Sequence, residues 1–241
     1  MPTPSELPAW AVPKSSRKMR SPWGLWTDVN HRNVRRLARI ERSAPAHFLL
    51  YGDSITAFHY GYTLTTRNPA TSKYWKKHFG DLRAAPMAIA GDGVGNLVWR
   101  LANGGELPRR APRAIGFLIG INDVLRGENV TTIDERMRYL VEYVHAAHPT
   151  TRIVVCGLTP VGDSLVALAR TAVNDTYRRI VSEYSALGVP IKYVDLLQPF
   201  TSANGMPTSP TILYDRVHLT GEGHDKALRA LRSALNELIR W

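Results

Sequence analysis

The stretch His47-Phe48-Leu49-Leu50-Tyr51-Gly52-Asp53-Ser54-Ile55-Thr56 decides the reading of this chain. From Phe48 to Tyr51 apolar residues occupy consecutive positions, the pattern of a strand covered on both faces rather than wetted on one. The run His47 to Tyr51 is therefore read as a buried strand that ends at a glycine and delivers a polar triplet. Four more runs have the same character: Met87 to Ala90, Ile115 to Ile119, Ile153 to Cys156 and Ile191 to Val194. Helical segments are expected between and after them, near Ser72 to Phe79, Val94 to Ala102, Ile133 to Ala147, Leu165 to Leu187 and Gly221 to Arg240. Before the first strand, Val29, Val34, Leu37 and Ile40 recur at helical spacing within Trp26 to Arg42. Strand alternating with helix predicts an α/β, doubly wound parallel sheet with helices on both sides.

The rest of the composition fits this architecture. A chain of 241 residues can bury one sizeable core, and 44% hydrophobic with 21% charged residues excludes disordered and collagen-like classes. Residues 1–25, rich in Pro and Ser, are expected to be an arm, and residues 26–241 the folded domain. The formal net charge is +11, and residues 1–45 hold nine Lys/Arg against three Asp/Glu. Without a zinc-finger or RNA-recognition signature beside them, these charges read as a solvated helix face in preference to a nucleic-acid patch. The single cysteine, Cys156, can form no internal disulfide and lies in an apolar run, where a buried thiol is expected. No stretch reaches the roughly 18 to 20 apolar residues that span a bilayer, and the first twenty residues lack the apolar core of a signal peptide. A cytoplasmic location is favoured on that basis.

A parallel sheet of this kind collects its working loops at the carboxyl ends of its strands. There the sequence places Gly52-Asp53-Ser54, then Gly91-Asp92-Gly93, then Gly120-Ile121-Asn122-Asp123, and, ahead of the last helix, Asp215-Arg216-Val217-His218. A serine hydroxyl attacks a carbonyl only when a base takes its proton, and an imidazole oriented by a carboxylate can do so. Ser54, His218 and Asp215 supply these groups. The oxyanion formed in acyl transfer needs fixed donors, and the backbone N–H groups of Ser54 and Gly91 and the side-chain amide of Asn122 are the candidates. Each block alone reads more simply as a helix cap or a tight turn; the four together, in this order, point to a serine hydrolase.

Through these blocks the chain resembles the SGNH (GDSL) hydrolase superfamily. The run Ala90 to Leu101 with Asn103-Gly104-Gly105-Glu106-Leu107 is particularly similar to the catalytic subunits of intracellular platelet-activating-factor acetylhydrolases. The resemblance covers about Trp26 to Leu238. It implies a three-layer α/β/α flavodoxin-like sandwich with a five-stranded parallel sheet, and Ser54 as nucleophile with His218 and Asp215. It also implies an oxyanion hole of Ser54, Gly91 and Asn122, and no cofactor or metal. The implied partner is a small-molecule ester, either lipid or acetylated sugar; a homodimer is left open. Ser54 lacks the Gly-x-Ser-x-Gly elbow of α/β-hydrolases.

Departures from the pattern concern substrate. Phe58 to Pro69 is longer and more aromatic than in the acetylhydrolases, and Arg216 stands where relatives often have glycine. Arg216 is read as solvent-facing in preference to a screen for Asp215 or an anion contact. Trp99 is assigned to packing and Arg100 to an ion pair. The remaining histidines are assigned to surface or packing roles, with His59 and His224 nearest the site. The activity expected is hydrolysis of short acyl esters, with a sugar acetyl esterase, a lysophospholipase or thioesterase, and a non-catalytic module with a basic arm as alternatives.

Overall fold

The computed structural model describes residues 7–12, 25–61, 71–200, 212–213 and 215–239. Their strands are β1 (Phe48–Gly52), β2 (Ala84–Ala88), β3 (Ala114–Leu118), β4 (Arg152–Cys156) and β5 (Ile191–Val194). All neighbours are parallel, in the order β2-β1-β3-β4-β5. The helices are α1 (Trp26–Ile40), α2 (Ser54–Ala57), α3 (Ser72–Phe79), α4 (Val94–Ala102), α5 (Ile121–Leu125), α6 (Val130–Ala147), α7 (Ser164–Ala186) and α8 (Gly221–Leu238). Helix α3 packs with α8 on one side of the sheet, whereas α4, α6 and α7 pack together on the other. This is the expected three-layer sandwich.

The central strand is apolar on both faces because it lies between two helical layers. Phe48, Leu49, Leu50 and Tyr51 are all buried, each side chain gaining roughly 1.5 to 3 kcal/mol from leaving water. Strand β2 starts three residues before the expected Met87, its sequence Ala84-Ala85-Pro86-Met87-Ala88 being a weak strand former. It is an edge strand, so Pro86 can sit there without breaking a ladder on its outer side. Strands β1, β3, β4 and β5 lie within one residue of their expected bounds.

Helix starts follow local chemistry. The Asn129 side chain accepts from the N–H of Thr132 and opens α6 three residues before the expected Ile133. Asp163 caps α7 through the N–H groups of Leu165 and Val166, and Thr220 caps α8 through that of Gly223. Such caps contribute about 1 kcal/mol each. Helices α2 and α5 are too short to show in the sequence the periodicity that marks a helix. The expected end of the last helix, at Arg240, lies outside the described residues.

Within the arm, residues 7–12 lie against the helices. Trp10 meets Tyr139 of α6 edge-on, Ala11 is buried, and the Asn96 amide donates to the Val12 carbonyl. Lys14, Arg17, Lys18 and Arg20 lie outside the described residues. On α1, Arg32, Arg35 and Arg39 are exposed, opposite the buried Trp26, Val29, Asn33 and Leu37. Cys156 is buried, and burial pushes its thiol up to about 12. Among the described residues no helix is long and apolar enough to cross a membrane.

Candidate active site

The chain runs from β1 outward to β2 and then crosses back to β3 on the other side of β1. That reversal makes the carboxyl ends of β1 and β3 the topological switch point, the place where ligands bind in sheets of this type. Ser54 follows β1 and opens α2; Asn122 follows β3 and lies in α5.

Gly52 is required at the end of β1, because a Cβ there would lie 2.2 Å from Thr56 Oγ1 and 2.5 Å from the Leu118 carbonyl oxygen. Asp53 then caps α2, accepting from the N–H of Ile55 at 3.0 Å, and this turn presents Ser54. On the far side, Leu213 and Leu219 form an antiparallel bridge, and the Thr220 N–H donates to the Ile212 carbonyl. The segment Asp215 to His218 is closed between them. Asp215 Oδ1 accepts from the N–H groups of Val217 and His218 at 2.7 and 2.6 Å, and Oδ2 meets His218 Nδ1 at 2.8 Å. His218 Nε2 lies 2.8 Å from Ser54 Oγ.

These contacts fix the proton positions. Burial pushes the Asp215 carboxyl up, but the His218 and Val217 N–H groups and the His218 ring outweigh it and hold Asp215 below the ordinary range. An ionised carboxylate only accepts, so His218 carries its proton on Nδ1, and Nε2 is left to accept from the Ser54 hydroxyl. The three residues that the sequence separates by 164 positions are brought into one hydrogen-bonded line.

The second loop approaches from β2. Gly91 has φ 77°, a left-handed conformation that favours glycine. Its carbonyl accepts from Arg126, just past α5, and the next carbonyl, of Asp92, accepts from the Asn122 amide at 3.0 Å. An amide has two N–H groups, so Asn122 keeps a second donor beyond this brace. Gly91 and Asn122 are thus joined through Asp92.

Under the loops lies a polar cluster that sequence reasoning reached only as an ion pair of Arg100. Arg100 is wholly buried. Its Nε and Nη2 meet the Glu106 carboxylate at 3.0 and 2.6 Å, and Nη2 also donates to the Met87 carbonyl at 2.8 Å. Its Nη1 donates to Asp92 Oδ2 at 3.1 Å and to the Gly52 carbonyl at 3.3 Å. Asp92 Oδ1 accepts from the Trp26 indole N–H at 2.7 Å, and Glu106 also accepts from Asn30 and Asn33. Burial opposes the Arg100 charge, but Glu106 and Asp92 more than offset it and hold the guanidinium above its ordinary pKa. No periodicity reveals partners 66 to 76 residues apart.

Two further buried carboxyls flank the site. Burial raises Asp53 to about 7 against its bond from Ile55, with the charges of Asp92 and Asp123 adding to the rise. Burial also raises Asp123, opposed by the Val94 N–H and Arg136. Behind α2, His224 stacks on Phe58 and His59 stands edge-on to His224. His47, His78 and His148 make surface or packing bonds, to the Arg83 N–H, Asp225 and the Pro108 carbonyl. Arg216 is solvent-facing, its side chain 83% exposed and 3.9 Å from Asp163. Trp99 packs edge-on against Trp26. Of the aromatic stretch Phe58 to Pro69, residues 62–69 lie outside the described residues. Among the described residues no group of three or more His, Cys, Asp or Glu could hold a metal ion.

Residues 50–226 match the model of the GDSL-like lipase/acylhydrolase family. The human platelet-activating factor acetylhydrolase IB subunit alpha1 is 26% identical over 218 residues, covering 90% of this chain and 85% of its own length. Among solved structures, an acetylxylan esterase from Geobacillus stearothermophilus superposes with a TM-score of 0.61 at 19% identity, over 79% of this chain and 94% of its own. A GDSL-family lipolytic protein from Veillonella parvula gives 0.60 at 18%, over 77% and 96%.

Proposed function

The chain belongs to the GDSL-like lipase/acylhydrolase family, and from that premise we propose that it hydrolyses acetyl and other short acyl esters through an acyl-serine intermediate. The observation that carries the reading is the line Ser54 Oγ, His218 Nε2, His218 Nδ1, Asp215 Oδ2, with 2.8 Å at each of its two contacts.

Ser54 Oγ attacks the ester carbonyl carbon as its proton passes to His218 Nε2. The imidazolium that results is stabilised by the Asp215 carboxylate, which stays ionised. The carbonyl oxygen, now negative, is received by the N–H groups of Ser54 and Gly91 and by the second N–H of Asn122. Collapse of the tetrahedral adduct breaks the bond to the alcohol oxygen, which takes the proton from His218. A water molecule then repeats the cycle on the acyl-serine, returning the acid and Ser54.

The acyl preference is supported by the names of the relatives: one is an acetylhydrolase and another an acetylxylan esterase. They differ in the alcohol and share the acetyl group, so the acyl side is the part of the substrate this reading specifies. The test is turnover of p-nitrophenyl acetate, butyrate and octanoate by the wild type and Ser54→Ala, with fluorophosphonate labelling of both. Acetate should be turned over fastest, and Ser54→Ala should lose both turnover and label. Equal rates in Ser54→Ala would overturn the nucleophile; octanoate faster than acetate would overturn the short-acyl preference.

A further inference from the structure

The acyl-transfer reading requires two loops to hold a fixed relation: the one that presents Ser54 and the one that presents the Gly91 N–H. They come from different strands, and misplacement by about 1 Å can cost roughly a hundredfold in rate. Among the described residues, the Arg100 side chain bonds both. Arg100 Nη1 donates to the carbonyl of Gly52, two residues before Ser54, and to the carboxylate of Asp92, one residue after Gly91. We propose that Arg100 is a positioning residue for the oxyanion hole, with Trp26 of α1 as its outer brace; this rests on the esterase reading of the same site.

Four features support the assignment. The guanidinium is saturated: its five N–H donors make five acceptor contacts, on Glu106, Asp92, Gly52 and Met87, so it has one orientation. Asp92 is pinned at each polar group, Oδ1 by Trp26, Oδ2 by Arg100, its carbonyl by Asn122 and its N–H by the Ile89 carbonyl. Arg100 and Asp92 side chains are both fully excluded from solvent, where such bonds are strong and a lost partner is costly. Finally, Trp26 brings in the helix before β1, so α1 bears directly on the loop that carries the oxyanion donor.

The predicted consequence is kinetic. Trp26→Phe removes the indole N–H while keeping an aromatic ring against Trp99, 5.4 Å away in the wild type. It should lower kcat about tenfold with KM within about twofold of wild type, and slow fluorophosphonate labelling of Ser54 by a similar factor, because the oxyanion forms only as the reaction proceeds. Arg100→Lys, which cannot reproduce the planar fork, should lose about a hundredfold in both. A purely structural role predicts a lower thermal midpoint with kcat and labelling unchanged below it. Rates within twofold of wild type for folded Trp26→Phe would overturn the proposal, whatever the midpoint. Should Arg100→Lys fail to fold, Trp26→Phe decides alone. Failure of the underlying reading shows differently, as a wild type whose Ser54 takes no label.

Discussion

Acidification from pH 7.5 to 5.0 should destabilise this protein through His59 and His224. Both imidazoles are buried, at 5% and 2% exposure. The His224 ring lies on Phe58 at 3.8 Å and His59 is edge-on to it at 4.9 Å. Among the described residues neither His59 Nδ1 nor His224 Nε2 has a hydrogen-bond partner. Burial, and then the neighbouring His78, lower His59 to about 3; burial, and then His59 and His218, hold His224 well below the ordinary range. Imidazoles of the unfolded chain titrate near 6.5, so below that pH the unfolded state binds protons that the native state refuses. Stability therefore falls as the pH drops through 6.5 toward 3, by about 1.4 kcal/mol per unit for His59, and His224 shifts stability in the same direction. At pH 5.0 the loss from His59 alone is about 2 kcal/mol, with His224 adding to it in the same direction, against an ordinary stability of about 5 to 15. For a chain of this size the His59 part alone corresponds to about 4 to 8 °C in the thermal midpoint. Because Asp53 titrates in the opposite sense, the quantity to measure is a difference: the midpoint change from pH 7.5 to 5.0 in the wild type minus that in His59→Leu/His224→Leu. The same change in both proteins would refute the reasoning.

Three other outcomes follow from the site. Asn122→Ala should lower kcat by about a hundredfold to a thousandfold with little change in KM, and should also lose about 1 kcal/mol of stability with its bond to the Asp92 carbonyl; near-normal kcat in a destabilised protein would remove Asn122 from the oxyanion hole. Asp215→Asn, which can no longer hold His218 in the required tautomer, should lower kcat by about ten-thousandfold while circular dichroism stays that of the wild type; a loss under tenfold would contradict the role given to Asp215. Asp53, raised to about 7, keeps its proton in the native state after the unfolded chain has released it, so its contribution to stability declines from about pH 4 to pH 7. The stability of Asp53→Asn relative to wild type should therefore rise over that window in denaturant titrations, and a constant difference would contradict it.

The elements legible in the sequence are those whose signal is local. Strands β1 and β3 could be read because both faces are covered, making every position apolar. Helices α3 and α4 have the expected bounds because a full apolar stripe lies within each. Strand β2 was misplaced where edge position tolerates Ala and Pro, which carry no strand signal. Asp215 and His218 could be paired because three residues bring them together within one turn, and Ser54 because the topology gathers loop ends at one edge. The extent of the cluster around Arg100 was not legible. Trp26, Asn30, Asn33, Asp92 and Glu106 belong to separate segments, and each taken alone reads as packing, a helix face or a turn.

One regularity, visible only with both sequence and structure, bears on why these blocks take the form they do. Each of the three candidate oxyanion donors is next in the chain to an aspartate: Asp53 before Ser54, Asp92 after Gly91, Asp123 after Asn122. All three aspartates are buried, with relative exposures of 1% or less. A carboxylate accepts several hydrogen bonds and donates none when ionised, which suits a position where loop N–H groups and arginines converge. Asp53 takes the N–H of Ile55 and sets the turn at Ser54. Asp92 takes Trp26 and Arg100, and Arg100 reaches back to Gly52 in the first loop. Asp123 takes the N–H of Val94, the residue that opens α4 after the second loop, together with Arg136. The first loop is thus tied to the second by Asp92 and the second to the third by Asp123. The energetic cost of burying these acids, seen in the raised pKa of Asp53 and Asp123, is set against fixing three loops at once. In the proposed acyl transfer, where the donors must be held before the oxyanion exists, that rigidity would raise the rate.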